Sequence, residues 1–175
     1  VTPTWTSQTP PDPWKITPLG ALLVVVRGVV LGVVVFGGLL LLLALRLIEK
    51  PVFGADRPWT PHITVAVCRL SLRIIGLSLK VRGQAMRYRG AIVANHSSWM
   101  DIFVLNTARP LYFVAKSEVA GWAGIGWLAR ATGTVFVRRE RREANAQKTE
   151  LETRLLQGHH LLFFPEGTST DGQRV

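Results

Sequence analysis

From Gly28 to Leu45 the chain runs for eighteen residues without a charged side chain, bounded by Arg27 and Arg46. As an α-helix rising about 1.5 Å per residue, such a run is about 27 Å long, close to the hydrocarbon thickness of a bilayer. A helix that is apolar on every side needs apolar surroundings on every side. A chain of 175 residues builds one ordinary core, with too little other apolar surface to wrap such a helix. Residues 19–48 are therefore expected to form a transmembrane helix, with Arg27 snorkelling toward one face. A cleaved signal peptide fits less well, because its apolar region is only about 7–15 residues long and no small-x-small site follows here. Residues 1–18, punctuated by Pro3, Pro10, Pro11 and Pro13, are expected to be a disordered tail.

The chain as a whole carries a basic excess. Lys and Arg number 21 against 11 Asp and Glu, a formal charge of +10, so the natural partners are anionic. Acidic lipid headgroups and phosphorylated substrates satisfy that description. Nucleic acid does so by charge alone, since the sequence holds no zinc-finger spacing, no aromatic-bearing RNA signature and no reading helix. Hydrophobic residues at 48% with 18% charged exclude a disordered chain. The single cysteine, Cys68, excludes an internal disulfide and a multi-cysteine zinc site. Lys15 and Arg27 precede or open the apolar run while Arg46, Lys50 and Arg57 follow it, which places the main domain on the cytoplasmic side.

Residues 49–76 read as a second helix and linker. His62, Arg69 and Arg73 fall on one helical face of an otherwise apolar segment, which would lie among headgroups or pair with the first helix. The alternative is an amphipathic helix packed on the soluble domain with its stripe in water. From residue 77 to 175 the texture is α/β. β-rich runs at 79–82, 91–94, 111–115, 134–137 and 161–164 alternate with stretches long enough for helices, predicting a mixed sheet with crossover helices. Residues 140–157 read as one such helix, with Ala144, Leu151 and Leu155 as its apolar stripe, Glu150 four before Arg154, and Gly158 as its stop. The polar run Asp171-Gly172-Gln173-Arg174 before Val175 suggests a chain truncated at its carboxyl end.

Two segments carry candidate chemistry. The run Ala91 to Ala94 delivers Asn95 and His96 to the carboxyl end of a strand, where α/β sheets gather ligands. Asp101, five residues on, can accept the Nδ1 proton of His96, fix its tautomer and leave Nε2 as a general base. The same residues also fit a capping box, Ser98-x-x-Asp101, in which Asp101 merely satisfies backbone donors. In the second segment, Leu161 to Phe164 form a buried strand, Pro165 ends it, and Gly167 permits a tight turn beside the Glu166 carboxylate and the Thr168 hydroxyl. Lys116 and the Arg138-Arg139 pair stand at the ends of other strands, suited to phosphate or carboxylate oxygens or simply solvated. A rival reading is a metal-dependent hydrolase using His96, Asp101, Glu166 and the pair His159-His160. Adjacent strand residues point to opposite faces, so that pair is expected as exposed residues at a turn rather than as ligands of one ion. A second rival is a basic membrane-binding module without catalysis.

Taken in order, Asn95-His96-x4-Asp101, Gly133-x-Val135-Phe136-Val137-x-Arg139 and Phe164-Pro165-Glu166-Gly167-Thr168 resemble the glycerolipid acyltransferase family, which includes 1-acylglycerol-3-phosphate acyltransferases. The resemblance covers residues 77–172 and implies transfer of a fatty acyl group from an acyl-CoA or acyl carrier protein thioester to a lysolipid hydroxyl, with no cofactor and no metal. It implies His96 as base, Asp101 as its orienting partner, and Asn95, Arg139, Glu166, Gly167 and Thr168 around the substrates, where Lys116, at its strand end, is a further substrate-binding candidate. The first acceptor it suggests is 1-acylglycerol-3-phosphate, giving phosphatidate at a bacterial inner membrane. One position departs from that pattern. Many phosphatidate-forming relatives carry Arg directly after the Pro-Glu-Gly-Thr turn, whereas Ser169 stands here, which resembles enzymes acylating lyso-ornithine lipid. The sequence offers no Gly-x-Ser-x-Gly elbow, so direct transfer between bound substrates is expected rather than an acyl-enzyme.

Overall fold

The computed structural model describes residues 15–84, 86, 88, 90–138, 140 and 142–169; the expected tail, up to residue 14, and Arg139 lie outside them. Helix α1, Pro18–Phe53, opens on Thr17, whose side chain accepts from the Gly20 N–H at 3.1 Å, with Pro18 in the first turn where its missing N–H costs nothing. It ends at Gly54, whose φ of 62° suits glycine. Only 11% of its most apolar eighteen-residue stretch is buried, so it is not the core helix of a water-soluble fold. It is long and apolar enough to cross a membrane and associates the chain with one.

Helix α2, Thr60–Ile75, folds back along α1. Polar groups hold this hairpin at both ends. The fully buried Glu49 carboxylate accepts from the backbone N–H of Trp59 (2.8 Å) and Thr60 (3.0 Å), from the Thr60 hydroxyl (2.7 Å) and from Arg46 (3.0 Å). A negative charge thus sits on the positive end of the α2 dipole. Arg46 also donates to the carbonyls of Gly54 and Asp56, closing the connection between the helices. At the other end Arg27 reaches the Ile75 carbonyl at 3.4 Å, a positive charge on the negative end of α2. Its guanidinium therefore meets a helix terminus rather than simply snorkelling along α1. Between the clamps, Gly38 lets the helices approach so closely that an added Cβ would stand 2.4 Å from Val67 Cγ2.

The basic stripe of α2 is divided. Arg69 donates to the Thr107 carbonyl at 2.8 Å, tying α2 to the end of helix α3, Asp101–Asn106. His62 and Arg73 remain exposed. The helix consequently packs on both α1 and the α/β unit, a combination of the two alternatives open in the sequence.

The α/β unit contains β1 (Gly90–Val93), α3, β2 (Tyr112–Lys116), a 3-10 turn (Ser117–Gly121), α4 (Ile125–Thr132), β3 (Val135–Val137), α5 (Ala144–Leu156) and β4 (His160–Phe163). The sheet order is β1-β4-β2-β3. Every described pairing is parallel, where a mixed sheet was expected, because a helix in each connection returns the chain before the next strand begins. Residues 79–82 form no strand; exposed to water, as are their neighbours, they lack the burial that a strand of this sheet requires. The last strand, β4, inserts between β1 and β2, which leaves Leu161 and Leu162 without solvent exposure and accounts for its unbroken apolar sequence. Leu151 and Leu155 of α5 pack on a core of Tyr112, Val135 and Leu161, while Arg154 pairs with Glu150 at 3.3 Å and reaches inward to the Gly133 carbonyl at 3.3 Å.

The two-ended clamp makes a quantitative prediction. Glu49→Ala leaves two N–H groups, a hydroxyl and Arg46 without their acceptor, and denaturant unfolding in detergent should show a loss of about 3 kcal/mol, with Glu49→Gln losing less. An alanine variant as stable as the parent would remove Glu49 from this role.

Candidate active site

The parallel pairing of β1 with β4 brings together two segments seventy residues apart in the chain. Val93 stands opposite Phe163, and the Ala94 N–H donates to the Phe163 carbonyl at 3.2 Å, carrying the register one step past the strand. Three residues beyond that register, His96 and Glu166 meet: the His96 backbone N–H donates to Glu166 Oε2 at 2.7 Å. The His96 imidazole lies on the Phe164 ring, centroids 4.2 Å apart and planes 21° from parallel. An aromatic floor and a carboxylate anchor on its own amide thus fix where the imidazole sits.

Asp101 fixes its rotation. Its Oδ2 accepts from His96 Nδ1 at 2.9 Å and from the backbone N–H groups of Ser97 (2.7 Å) and Ser98 (2.9 Å), while Ser98 Oγ accepts from the Met100 N–H at 3.1 Å. The two sequence readings of Asp101 are therefore not exclusive: the oxygen that satisfies the capping box also holds the imidazole. With Asp101 ionised, Nδ1 is the donor and Nε2 keeps its lone pair. Both side chains are 21% exposed, so the pair is accessible from outside.

His96 forms part of the wall of a cavity of about 660 Å³ between the helical hairpin and the sheet. Leu39 and Leu42 of α1, Val67 and Cys68 of α2, and Leu111 and Phe113 beside the sheet give it an apolar lining. Lys116, Gly167 and Thr168 border the same space, as does Trp99. Gly167, with φ of 65°, turns the chain at its rim and its N–H donates back to the Phe164 carbonyl at 3.1 Å. Burial pushes the Cys68 thiol up to about 12, so this cavity residue stays protonated and is a poor nucleophile.

The structure gathers His96, Asp101, Lys116, Glu166, Gly167 and Thr168 at the carboxyl end of the sheet. Asn95 is exposed beside them. Sequence reasoning missed Phe164 as the floor of the imidazole, reading it only as strand core, and missed the whole hairpin contribution to the cavity. A neighbour across a parallel pairing is visible in sequence only once the pairing is known. The pair His159-His160 is half-buried at the opposite end of the sheet, not exposed at a turn, and is far from His96. Among the described residues no three His, Cys, Asp or Glu side chains gather closely enough to hold a metal ion.

The site is an imidazole–carboxylate pair at the wall of an apolar cavity, on a parallel α/β sheet behind an apolar helix. A family model described as acyltransferase matches residues 78–175, more than half the chain, and the chain belongs to that family. It is similar to the lyso-ornithine lipid O-acyltransferase of Rhodobacter capsulatus, 56% identical over 173 residues that cover 99% of this chain and 63% of that one. It is also similar to the lyso-ornithine lipid O-acyltransferase of Pseudomonas aeruginosa, 45% identical over 47% of this chain and 32% of the relative. The 1-acyl-sn-glycerol-3-phosphate acyltransferase of Neisseria gonorrhoeae is 35% identical over 46% of this chain and 32% of its own length. The chain thus spans less than two thirds of the length of these relatives. No solved structure matches it.

The hydrogen bonds of Asp101 can be separated from its charge. Asp101→Ala strands the Ser97 and Ser98 N–H groups and should cost about 2 kcal/mol in thermal or denaturant unfolding, whereas Asp101→Asn can keep both bonds and should cost less than about 1 kcal/mol. Equal stability of the alanine variant and the parent would show that the carboxylate does not organise the turn.

Proposed function

We propose that the chain carries the catalytic centre of a membrane-bound O-acyltransferase that moves a fatty acyl group from a thioester of coenzyme A or acyl carrier protein to the hydroxyl of a lysolipid. The observation that carries this reading is the joining of the His96–Asp101 pair to the 660 Å³ apolar cavity. An alcohol is a weak nucleophile at neutral pH, so a base must take its proton as it attacks. His96 Nε2 takes the acceptor proton, the acceptor oxygen bonds to the thioester carbonyl carbon, and the tetrahedral oxyanion collapses to expel the thiolate. That thiolate recovers the proton from the imidazolium, which Asp101 has held in place and stabilised. Direct transfer is supported by the protonated state of Cys68, the one cysteine of the chain.

The cavity is suited to an acyl chain, and Lys116 with the Glu166-Gly167-Thr168 turn is assigned to positioning the substrates at its mouth. Arg139, which lies outside the described residues, is assigned to the acceptor on the family resemblance alone. Among acceptors, lyso-ornithine lipid is favoured by the 56% identity spanning 99% of the chain and by Ser169 after the turn. The second reading, 1-acylglycerol-3-phosphate, draws on the Neisseria relative and on the net charge of +10. The basic excess beyond the first helix supports a catalytic domain on the cytoplasmic side of a bacterial inner membrane.

Purified protein assayed with lyso-ornithine lipid and 1-acylglycerol-3-phosphate, each with acyl-CoA and acyl carrier protein donors, should acylate the former faster. His96→Ala should abolish transfer while the protein still sediments with vesicles. Asp101→Asn should lower kcat at least about 100-fold with little change in the acceptor KM. Near-normal turnover by the His96 variant would reject the mechanism, and preference for the phosphorylated acceptor would select the second reading.

A further inference from the structure

A second crevice, of about 480 Å³, opens at the amino ends of β2 and β4. At about 3.3 Å per residue, the four residues of β4 separate it from the His96 end of the sheet by about 13 Å. It is built unlike the apolar cavity. Arg57 enters from the connection between α1 and α2, His62 from α2, Arg109 from the turn after α3, and His159 and His160 from the start of β4, around the Tyr112 ring. The acidic side chain in its lining is Asp56.

Arg57 donates to the Ala131 carbonyl at 2.6 Å and Arg109 to the Met86 carbonyl, and among the described residues no ion pair includes either of them. Two imidazole nitrogens facing the protein interior, His159 Nδ1 and His160 Nε2, find no hydrogen-bond partner among the described residues. His159 is stacked on Tyr112 with centroids 4.3 Å apart, and the Arg154 guanidinium stands 5.9 Å from the centre of the same ring. Burial, then the nearby Arg154, lowers the pKa of His159; burial, then Arg109, lowers that of His160. Half-buried guanidiniums without an ion-pair partner are costly to leave unmatched, and an oxyanion in the crevice would match both.

We propose that this crevice is an anion site that takes a phosphate group, held by Arg57 and Arg109 beside the rings of His159 and His160. It is separate from the acyl-transfer centre and independent of the reading given to that centre. The phosphate can belong to a water-soluble compound or to a lipid headgroup, and the chemistry of capture is the same for both.

The test follows the histidine side chains by 15N NMR in the unaltered chain, first in neutral detergent titrated with inorganic phosphate at constant ionic strength, then in nanodiscs of phosphatidylcholine with or without phosphatidate. The expected result is a saturable change at His159 and His160, with the His96 signals unmoved, and binding at least about five-fold weaker in Arg109→Gln. A response to inorganic phosphate alone identifies a soluble ligand as the source, and a response confined to phosphatidate nanodiscs identifies a headgroup. No saturable response in either arm, the same response to chloride, or a response confined to His96 overturns the proposal. The titration of the unaltered chain decides this even where the Arg109 variant does not fold.

Discussion

One oxygen atom, Asp101 Oδ2, receives three hydrogen bonds: from the imidazole of His96 and from the backbone of Ser97 and Ser98. Because the backbone bonds fix the carboxylate to the turn, the imidazole is held by a group that cannot swing away with it. Glu166 adds the complementary restraint from β4 by accepting from the His96 amide, and Phe164 supports the ring from below. Orientation is settled before any substrate arrives, which is the form of preorganisation that costs nothing at the moment of reaction. The parallel register of β1 and β4 makes these contacts possible, since a one-residue slip would turn His96 to the opposite face of the sheet.

The hairpin determines what reaches that pair. Its helices are joined by apolar packing at Gly38 and clamped by Glu49 and Arg27, whose signs oppose the two ends of the α2 dipole. Because α2 is also tied to Thr107 through Arg69, the hairpin forms one wall of the cavity instead of merely tethering the α/β unit. A single arrangement thus supplies attachment to a membrane and a sheltered apolar space beside the polar chemistry. This accounts for charged residues at Arg27, Arg46 and Glu49 around a helix that otherwise reads as a plain membrane anchor.

Much of this was legible in the amino acids, and the limits are physical. The uncharged run from Gly28 to Leu45, the apolar strand Leu161 to Phe163 and the Glu150–Arg154 helix pair are local patterns, and local patterns survive into the structure. His96 and Asp101 are five residues apart, so their contact was also within reach of sequence reasoning. The Arg69–Thr107 and Arg27–Ile75 contacts join residues 38 and 48 apart, and no periodicity announces such partners. His159 and His160 were misjudged as exposed because strand alternation was applied at a strand's first residue, where the helix connection and Tyr112 close over both. The mixed sheet was similarly a choice among topologies that short apolar runs cannot separate.

Asp101 holds His96 with Nδ1 as the donor and leaves Nε2 free to accept a proton. The 15N chemical shifts of the His96 ring at neutral pH measure that directly. A pyrrole-type Nδ1 and a pyridine-type Nε2 are expected, with this preference lost in Asp101→Ala. A resting imidazole protonated on Nε2, or one whose tautomer is indifferent to Asp101, would contradict it.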